Sequence, residues 1–171
     1  YHMYSTRDFA SRIKGGHSNS KICISEEKIN VIDYKTDILI AFDQATLDSY
    51  IPELDENSII IADAKIKPEI SEEIKGLVVV FPITELAKEI ANPIIKNIIT
   101  LGICSSLLDI DSKLFYDMIE TKFSSKGEEV VNINIQAFDK GREIMTEFME
   151  ENDIKDKYYL CLLYTSDAAD E

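Results

Sequence analysis

Three short apolar runs dominate the first half of the chain. They are DILIAF at Asp37–Phe42, SIIIA at Ser58–Ala62 and LVVVF at Leu77–Phe81, each bounded by polar residues, glycine or proline. Continuous apolar runs of this length are typical of strands that are buried on both faces, as in parallel sheets. The pattern therefore predicts a mostly parallel sheet of at least three strands.

Helical signals separate and follow these runs. Asp43 is a good N-cap for a short helix over Gln44–Tyr50, and Thr84–Ile90 predicts one or two helical turns after Pro82. Pro93 opens a longer helix that continues through Leu108, because proline is favoured at a first helical position. Ser112 is predicted to cap a further helix, whose apolar stripe ends at Gly127.

Two weaker patterns complete the expected layout. Lys21–Ile24 is rich enough in β-branched residues to predict a short strand. The alternation of VVNINI at Val130–Ile135 favours a last strand, followed by a closing helix over Gln136–Glu150. The whole pattern predicts an α/β fold with three layers, α/β/α, around a mostly parallel sheet.

Length and charge narrow the class of protein. The chain has 171 residues, 45% of them hydrophobic, which suits one compact domain. A formal net charge of −14 would repel a phosphate backbone, so we expect no nucleic-acid partner. Because no apolar run approaches the ~20 residues needed to span a bilayer, we also expect no membrane partner and a cytoplasmic location. The three cysteines lack the CxxC spacing of a zinc or iron–sulfur site, which predicts structural thiols.

Both ends of the sequence look cut. Tyr1 lies in a polar run without an initiator methionine, so we expect the native start to lie upstream. Residues 161–171 read CLLYTSDAADE, which is the translation of a common transposase sequencing adapter in one frame. We therefore predict a domain over residues 1–150, a linker over 151–160 and an adapter-derived artefact over 161–171.

Candidate chemistry concentrates in one segment before the first apolar run, RIKGGHSN at residues 12–19. Two adjacent glycines allow close backbone approach to a ligand or partner, and the neighbouring side chains supply hydrogen-bond donors in an acidic chain. The candidate residues are Arg12, Lys14, Gly15, Gly16, His17 and Asn19. The alternative is that the glycine pair only forms a turn before a strand.

Aspartates near the predicted strand ends are a second, weaker candidate. They are Asp33, Asp37, Asp43 and Asp63. Ligands bind at strand ends in α/β sheets, but most such aspartates are caps and turn formers, which is the interpretation we favour here. No set of residues with catalytic or metal-ligating spacing stands out, so we predict no catalytic residue and no metal site in this chain.

Four sequence motifs, in their order along the chain, resemble the gamma domain of pyruvate and 2-oxoacid:ferredoxin oxidoreductases, especially the form fused in front of the alpha subunit. They are RIKGGHSN, DILIAFDQATLD, NIITLG and GEEVVNINIQAFDKG. The matching motif positions are Arg12, Gly15, Gly16, Asp37–Ala41, Asn97, Leu101, Gly102, Asn134, Ala137, Phe138 and Gly141. The family's glycine-rich turn, G-x-G-G-Q-G, has no counterpart here. The resemblance thus implies a Rossmann-like domain that lacks its first βα unit.

The resemblance also implies a reaction and partners. The family oxidises and decarboxylates a 2-oxoacid such as pyruvate with coenzyme A, giving acyl-CoA, carbon dioxide and reduced ferredoxin. The resemblance places thiamine diphosphate mainly between the alpha and beta parts, and the iron–sulfur cluster in the beta part or in a separate ferredoxin-like part. It implies none of these cofactors in this fragment. The chain would then be a noncatalytic assembly element that contacts the alpha and beta parts, and the loop at residues 12–19 would face them or coenzyme A.

Two alternatives remain open at this point. One is the equivalent small subunit of an indolepyruvate oxidoreductase, which the sequence barely separates from the first interpretation. The other belongs to a different class, a freestanding α/β module that binds a small ligand or serves only as an interaction domain. Copurification with thiamine diphosphate, iron and large partner subunits would distinguish the oxidoreductase from these modules.

Deleting residues 161–171 is expected to leave the melting temperature unchanged within error, because the segment has a technical origin and should not pack on the core. Thermal unfolding of the full and shortened chains, followed by circular dichroism, measures this. A loss of several degrees on deletion would show that the segment contributes to the fold.

Overall fold

The computed structural model of the protein describes residues 2–9, 18–26, 28 and 35–154. Its contacts divide the chain into two compact units, Tyr1–Pro82 and Ile83–Glu171. The first unit contains every strand of the described residues and the second is helical. No helix in the described part of the chain has the length and apolar character that crossing a membrane requires.

A parallel sheet of three strands forms the centre of the first unit. The strands are β3 (Ile38–Ala41), β4 (Ile59–Asp63) and β5 (Leu77–Phe81), in the order β3-β4-β5. Ile38 is paired with Ile59, and Ile59 with Leu77. The three predicted strands, their parallel direction and the α/β class are therefore confirmed.

The burial of the central strand explains why the prediction succeeded. All five residues of β4 are buried, and Ile59, Ile60, Ile61 and Ala62 have no exposed surface. A strand with neighbours on both edges and covered faces favours a continuous apolar run, here Ile59–Ala62, and its last residue, Asp63, is buried as the cap of the turn that follows. The edge strand β5 tolerates exposure, and its Val80 is 45% exposed.

The first helix of this unit begins where the sequence predicts. Helix α1 spans Gln44–Tyr50, and the Asp43 carboxylate accepts a hydrogen bond from the Thr46 amide at 2.7 Å. This bond satisfies one of the free amide groups at the helix start. Leu47 then packs against Leu39 and Ile60 in a buried cluster, so the cap directs the helix onto the sheet.

An antiparallel hairpin precedes the sheet in sequence. Its strands are β1 (His2–Phe9) and β2 (Ser18–Ser25), and the pairing runs from His2 opposite Ser25 to Phe9 opposite Ser18. The predicted short strand at Lys21–Ile24 is the middle of β2. Strand β1 was not predicted, because HMYSTRDF is mostly polar and carries no strong apolar alternation.

The second unit contains four α-helices within the described residues. They are α2 (Ile83–Ile90), α3 (Lys96–Leu107), α4 (Ser112–Phe123) and α5 (Glu128–Asn152), with short 3-10 turns at Pro93–Ile95 and Ser124–Lys126. The helix predicted to open at Pro93 thus begins with a 3-10 turn, which Asn92 caps by accepting from the Ile94 amide at 2.9 Å.

The cap of α4 differs from the prediction. Asp111, and not Ser112, is the N-cap residue, and its carboxylate accepts from the Lys113 amide at 2.9 Å. Aspartate and serine are equally good caps, so two adjacent candidates cannot be separated by residue type alone. Gly127 ends the following turn with a φ of 102°, a conformation that favours glycine.

The predicted strand at Val130–Ile135 is wrong. These residues lie in α5, a single helix that runs from Glu128 to Asn152. Val131, Asn134 and Phe138 are buried in it, at the spacing of one helical face, and the Asn134 side-chain amide donates to the Val130 carbonyl at 2.7 Å. Six alternating residues mimicked a strand, while the helical period is visible only over the longer segment. Helix α5 ends at Asn152, and residues 155–160 of the predicted linker lie outside the described residues.

Helices α3 and α5 touch through their backbones. A Cβ atom at Gly102 of α3 would overlap the Phe138 carbonyl oxygen of α5, and a Cβ atom at Gly141 of α5 would overlap the Ile99 carbonyl oxygen of α3. Each glycine thus leaves room for the other helix. Ile99 and Phe138 are fully buried beside them, so the contact also covers apolar surface.

Gly102→Ala and Gly141→Ala are each expected to lower the free energy of unfolding by about 1 to 3 kcal/mol, because the added methyl group must push two backbones apart. The sign of this change is informative. Alanine has a higher helix propensity than glycine, so without the close contact each substitution would raise the free energy of unfolding. Chemical denaturation followed by circular dichroism measures the change. Gln136→Ala, at an exposed position of α5, is the control and should not destabilise. Equal or higher stability of both glycine variants would contradict the close contact.

Candidate functional site

The predicted loop over residues 12–19 overlaps β2, because its last two residues, Ser18 and Asn19, belong to that strand. Residues 10–17 join Phe9 to Ser18, which are paired across β1 and β2, so the loop leaves and re-enters the hairpin at adjacent positions. Arg12, Lys14, Gly15, Gly16 and His17 lie outside the described residues. Asn19, the last candidate, is half-buried on β2 opposite Asp8.

A half-buried ion pair attaches the hairpin to the rest of its unit. Lys21 Nζ of β2 donates to Glu53 Oε2 at 2.6 Å, and Thr36 Oγ1 donates to the same oxygen at 2.8 Å. The Thr36 amide also donates to the Glu53 carbonyl oxygen at 2.9 Å. Glu53 therefore connects β2 to the segment that leads into β3. Hydrogen bonds to a charged group are among the stronger ones in proteins, so this contact orients the strand.

The strand-end aspartates act as caps and ion-pair partners. Asp43 caps α1, and the buried Asp63 accepts from the Lys65 amide at 3.2 Å at the start of a 3-10 turn. The interpretation of these two residues as caps is confirmed. Asp37 lies 3.3 Å from Lys35 Nζ, and Asp33 lies outside the described residues.

Lys35 joins two carboxylates at the amino ends of β3 and β4. Its Nζ atom lies 3.1 Å from Asp55 Oδ2 as well as 3.3 Å from Asp37 Oδ1. Hydrogen bonds to Asp55 and then Asp37 raise the pKa of Lys35. The pKa of Asp55 is lowered, first by the Asn57 amide and then by Lys35. The three side chains hold their charges paired beside the turn that leads into β4.

Cys104 is the one cysteine of the helical unit that the structure describes, and it is not a reactive thiol. Burial raises the pKa of the Cys104 thiol to about 11, so it stays protonated at neutral pH and is a poor nucleophile and metal ligand. Cys23 is half-buried on β2, and Cys161 lies outside the described residues. Among residues 2–9, 18–26, 28 and 35–154, no three His, Cys, Asp or Glu side chains form a group that could hold a metal ion.

The glycines of the two helical motifs meet in the structure. Gly102 is the last residue of the motif NIITLG, and Gly141 is the last residue of GEEVVNINIQAFDKG. Each glycine lies against a backbone carbonyl of the other helix, which allows α3 and α5 to approach closely. Phe138 of GEEVVNINIQAFDKG stacks on Phe115, with 5.0 Å between the ring centroids, and contacts Tyr116 edge-on at 5.6 Å. These motifs therefore specify how three helices pack.

Arg142 is a structural residue that the sequence analysis missed. Its Nη1 atom donates to Ser105 Oγ at 2.6 Å and to the Ile110 carbonyl oxygen at 3.1 Å. Ser105 Oγ also donates to that carbonyl at 3.0 Å. The guanidinium thus holds the end of α3 and the following loop against α5. Its position immediately after Gly141 of the last motif was the signal that could have indicated this role.

Comparison with known proteins identifies the family. The sequence profile of the family described as pyruvate ferredoxin/flavodoxin oxidoreductase matches residues 1–144. The chain is 30% identical over 145 residues to the 2-oxoglutarate synthase subunit KorC of Methanocaldococcus jannaschii, covering 83% of this chain and 76% of that subunit. It is 26% identical over 164 residues to the alpha subunit of a 2-oxoacid:ferredoxin oxidoreductase from a Sulfolobus species, covering 72% of this chain and 26% of the subunit.

A solved structure agrees with the sequence comparisons. It is the 2-oxoglutarate:ferredoxin oxidoreductase from Magnetococcus marinus with 2-oxoglutarate, coenzyme A and succinyl-CoA bound. Its match has a TM-score of 0.77 and 26% identity, and covers 85% of this chain and 26% of the solved chain. This chain therefore spans most of the small subunit KorC but about a quarter of the longer relatives. Together these findings show that the chain belongs to the pyruvate ferredoxin/flavodoxin oxidoreductase family and is a homologue of its gamma subunit.

Proposed function

We propose that this chain is the gamma part of a thiamine-diphosphate-dependent 2-oxoacid:ferredoxin oxidoreductase in the cytoplasm. The complex would decarboxylate a 2-oxoacid oxidatively, transfer the acyl group to coenzyme A and pass the electrons to ferredoxin. The observation that carries the proposal is the family match over residues 1–144, which includes the two helical motifs whose glycines meet in the structure.

Within this complex, we assign the chain a structural and assembly role. An iron–sulfur cluster is typically held by four cysteine thiolates. The described cysteines, Cys23 and Cys104, belong to different units, and the Cys104 thiol stays protonated. The described residues therefore do not fit a cluster, and the cluster and thiamine diphosphate would be bound by the alpha and beta parts. The helix packing around Gly102 and Gly141 supplies a rigid body for those parts to contact.

The isolated chain is expected to show no 2-oxoacid oxidation, whereas its complex with the alpha and beta polypeptides of the same organism should turn over. The assay is anaerobic reduction of ferredoxin or viologen with pyruvate, 2-oxoglutarate and branched 2-oxoacids, with coenzyme A and added thiamine diphosphate. Copurification of this chain with both polypeptides, thiamine diphosphate and iron is the companion measurement. Turnover by the isolated chain would contradict the noncatalytic role, and failure to bind either polypeptide would contradict the proposed function.

We also propose that the loop at residues 12–19 faces the alpha and beta parts or the coenzyme A that they bind. Two facts support this. Residues 2–25 carry four lysines and arginines against one aspartate, whereas the chain as a whole has a net charge of −14. The loop also joins paired residues at the end of a hairpin, where a glycine pair permits close backbone approach.

Arg12→Ala is expected to weaken assembly or raise the apparent KM for coenzyme A, while the melting temperature of the chain hardly changes. Loss of a guanidinium from an interface that leaves its partner buried costs about 2 to 5 kcal/mol. Gly16→Val tests steric exclusion with Arg12 intact. The measurements are subunit copurification and steady-state kinetics over a coenzyme A series.

Lys113→Ala is the matched control, because it removes an exposed cation from α4 in the helical unit. It should assemble and turn over like the wild type. If Arg12→Ala and Gly16→Val do the same, the loop is only a turn before β2, and this assignment fails while the proposed function stands.

A further inference from the structure

The crossover between β4 and β5 contains no α-helix in its residues 64–76, all of which the structure describes. Parallel strands are usually joined through an α-helix that packs on the sheet. Here the crossover begins with a 3-10 turn, Ala64–Ile66, and continues without further helix to β5. Ile66 and Ile74 pack against the buried cluster of the sheet and α1, and so anchor the crossover at both ends. We call residues 67–73, between these two anchors, the strap.

The strap itself has few contacts with the rest of the first unit. None of its residues is buried. Among the described residues, its hydrogen bonds to positions outside the crossover both go to Gln44, the first residue of α1. Gln44 Nε2 donates to the Glu69 carbonyl oxygen at 3.1 Å, and the Glu69 amide donates to Gln44 Oε1 at 3.0 Å. The side-chain amide thus pairs with the Glu69 backbone and holds the strap near its middle.

The first residue of the strap has a strained backbone. Lys67 has a φ of 48° and a ψ of 64°, in the left-handed region that residues other than glycine seldom adopt. The strain is greater because Pro68 follows, and a following proline favours an extended conformation. Such a conformation persists only where surrounding contacts hold it, and it is found repeatedly in switch regions. Lys67 lies between the anchor Ile66 and Glu69, so these two attachments keep it in place.

The attachment of the strap lies at the carboxyl end of the parallel sheet. Gln44 follows the end of β3 at Ala41, and the 3-10 turn follows the end of β4 at Asp63. The closed strap therefore links the two segments that leave β3 and β4, at the end where open α/β sheets bind ligands. Release of Gln44 would remove this link without breaking a hydrogen bond between the strands.

Local stability differs sharply between the strap and the strands beside it. All five residues of β4 are buried and paired on both edges. Segments with few buried contacts open at a lower free energy than such a strand. We propose that residues 67–73 form a strained strap that Gln44 latches closed. The strap opens as a unit when Lys67 relaxes to an extended conformation, while β3, β4 and β5 stay paired.

The test measures amide hydrogen exchange of single residues in the full chain by NMR. Gln44→Ala removes the latch and leaves the Asp43 cap of α1 in place. It should speed exchange of the Glu73 and Ile74 amides about tenfold, because the loss of two hydrogen bonds favours the open strap. These amides donate to Ser71 and not to Gln44, so their faster exchange reports opening of the whole strap.

Lys67→Gly should act in the opposite direction. Glycine adopts the left-handed conformation without strain, so the closed strap is favoured and the same two amides should exchange about fivefold more slowly. Ser49→Ala is the matched control, because its side chain is exposed on α1 and donates to the Ala45 carbonyl oxygen within that helix. It should leave both exchange rates unchanged.

Three results would overturn the inference. If Gln44→Ala changes the exchange of the Glu69 amide alone, or of no amide, the strap does not open as a unit. Equal acceleration of the β4 amides would show that the strap opens only together with the sheet. Unchanged or faster exchange in Lys67→Gly would show that Lys67 is not strained. Opposite changes in the two variants, with β4 unaffected in both, are the expected outcome.

Discussion

The helical unit depends on a contact in which two helix backbones meet without side chains between them. Gly102 and Gly141 each face a carbonyl oxygen of the other helix, and any larger residue would separate α3 from α5. Further contacts join the same helix to its neighbours. Arg142 reaches Ser105 of α3, and Phe138 packs against Phe115 and Tyr116 of α4. The motifs NIITLG and GEEVVNINIQAFDKG thus encode packing.

In the first unit, the position of each strand in the parallel sheet determines how apolar its residues must be. The central strand β4 is covered on all sides, whereas the edge strand β5 exposes Val80. Among the described residues, the hairpin and the parallel sheet are separate sheets, and the Lys21–Glu53 ion pair connects them. The parallel strands are therefore held mainly by burial, whereas a charged contact helps to hold the hairpin in place.

These differences explain what could be predicted from sequence. The strands β3 to β5 were predictable because complete burial requires continuous apolar runs, and Asp43 because a cap acts on its nearest neighbours. Strand β1 was not predictable, since its residues are mostly polar and its pairing with β2 is set by the hairpin. The start of α5 was misjudged because six alternating residues outweighed a helical period that only the buried set from Val131 to Met145 reveals. The candidate loop could be named from its glycines and cations, but only the pairing of Phe9 with Ser18 places it at the end of a hairpin.

The length of α5 has a mechanical consequence. A helix of 25 residues is about 37 Å long at a rise of 1.5 Å per residue. Its hydrogen bonds run continuously along the axis, and Gly141 clamps it to α3 partway along its length. Its two ends, Glu128 and Asn152, are therefore parts of one continuous element. Any polypeptide that contacts either end contacts the same helix that packs on α3 at Gly141.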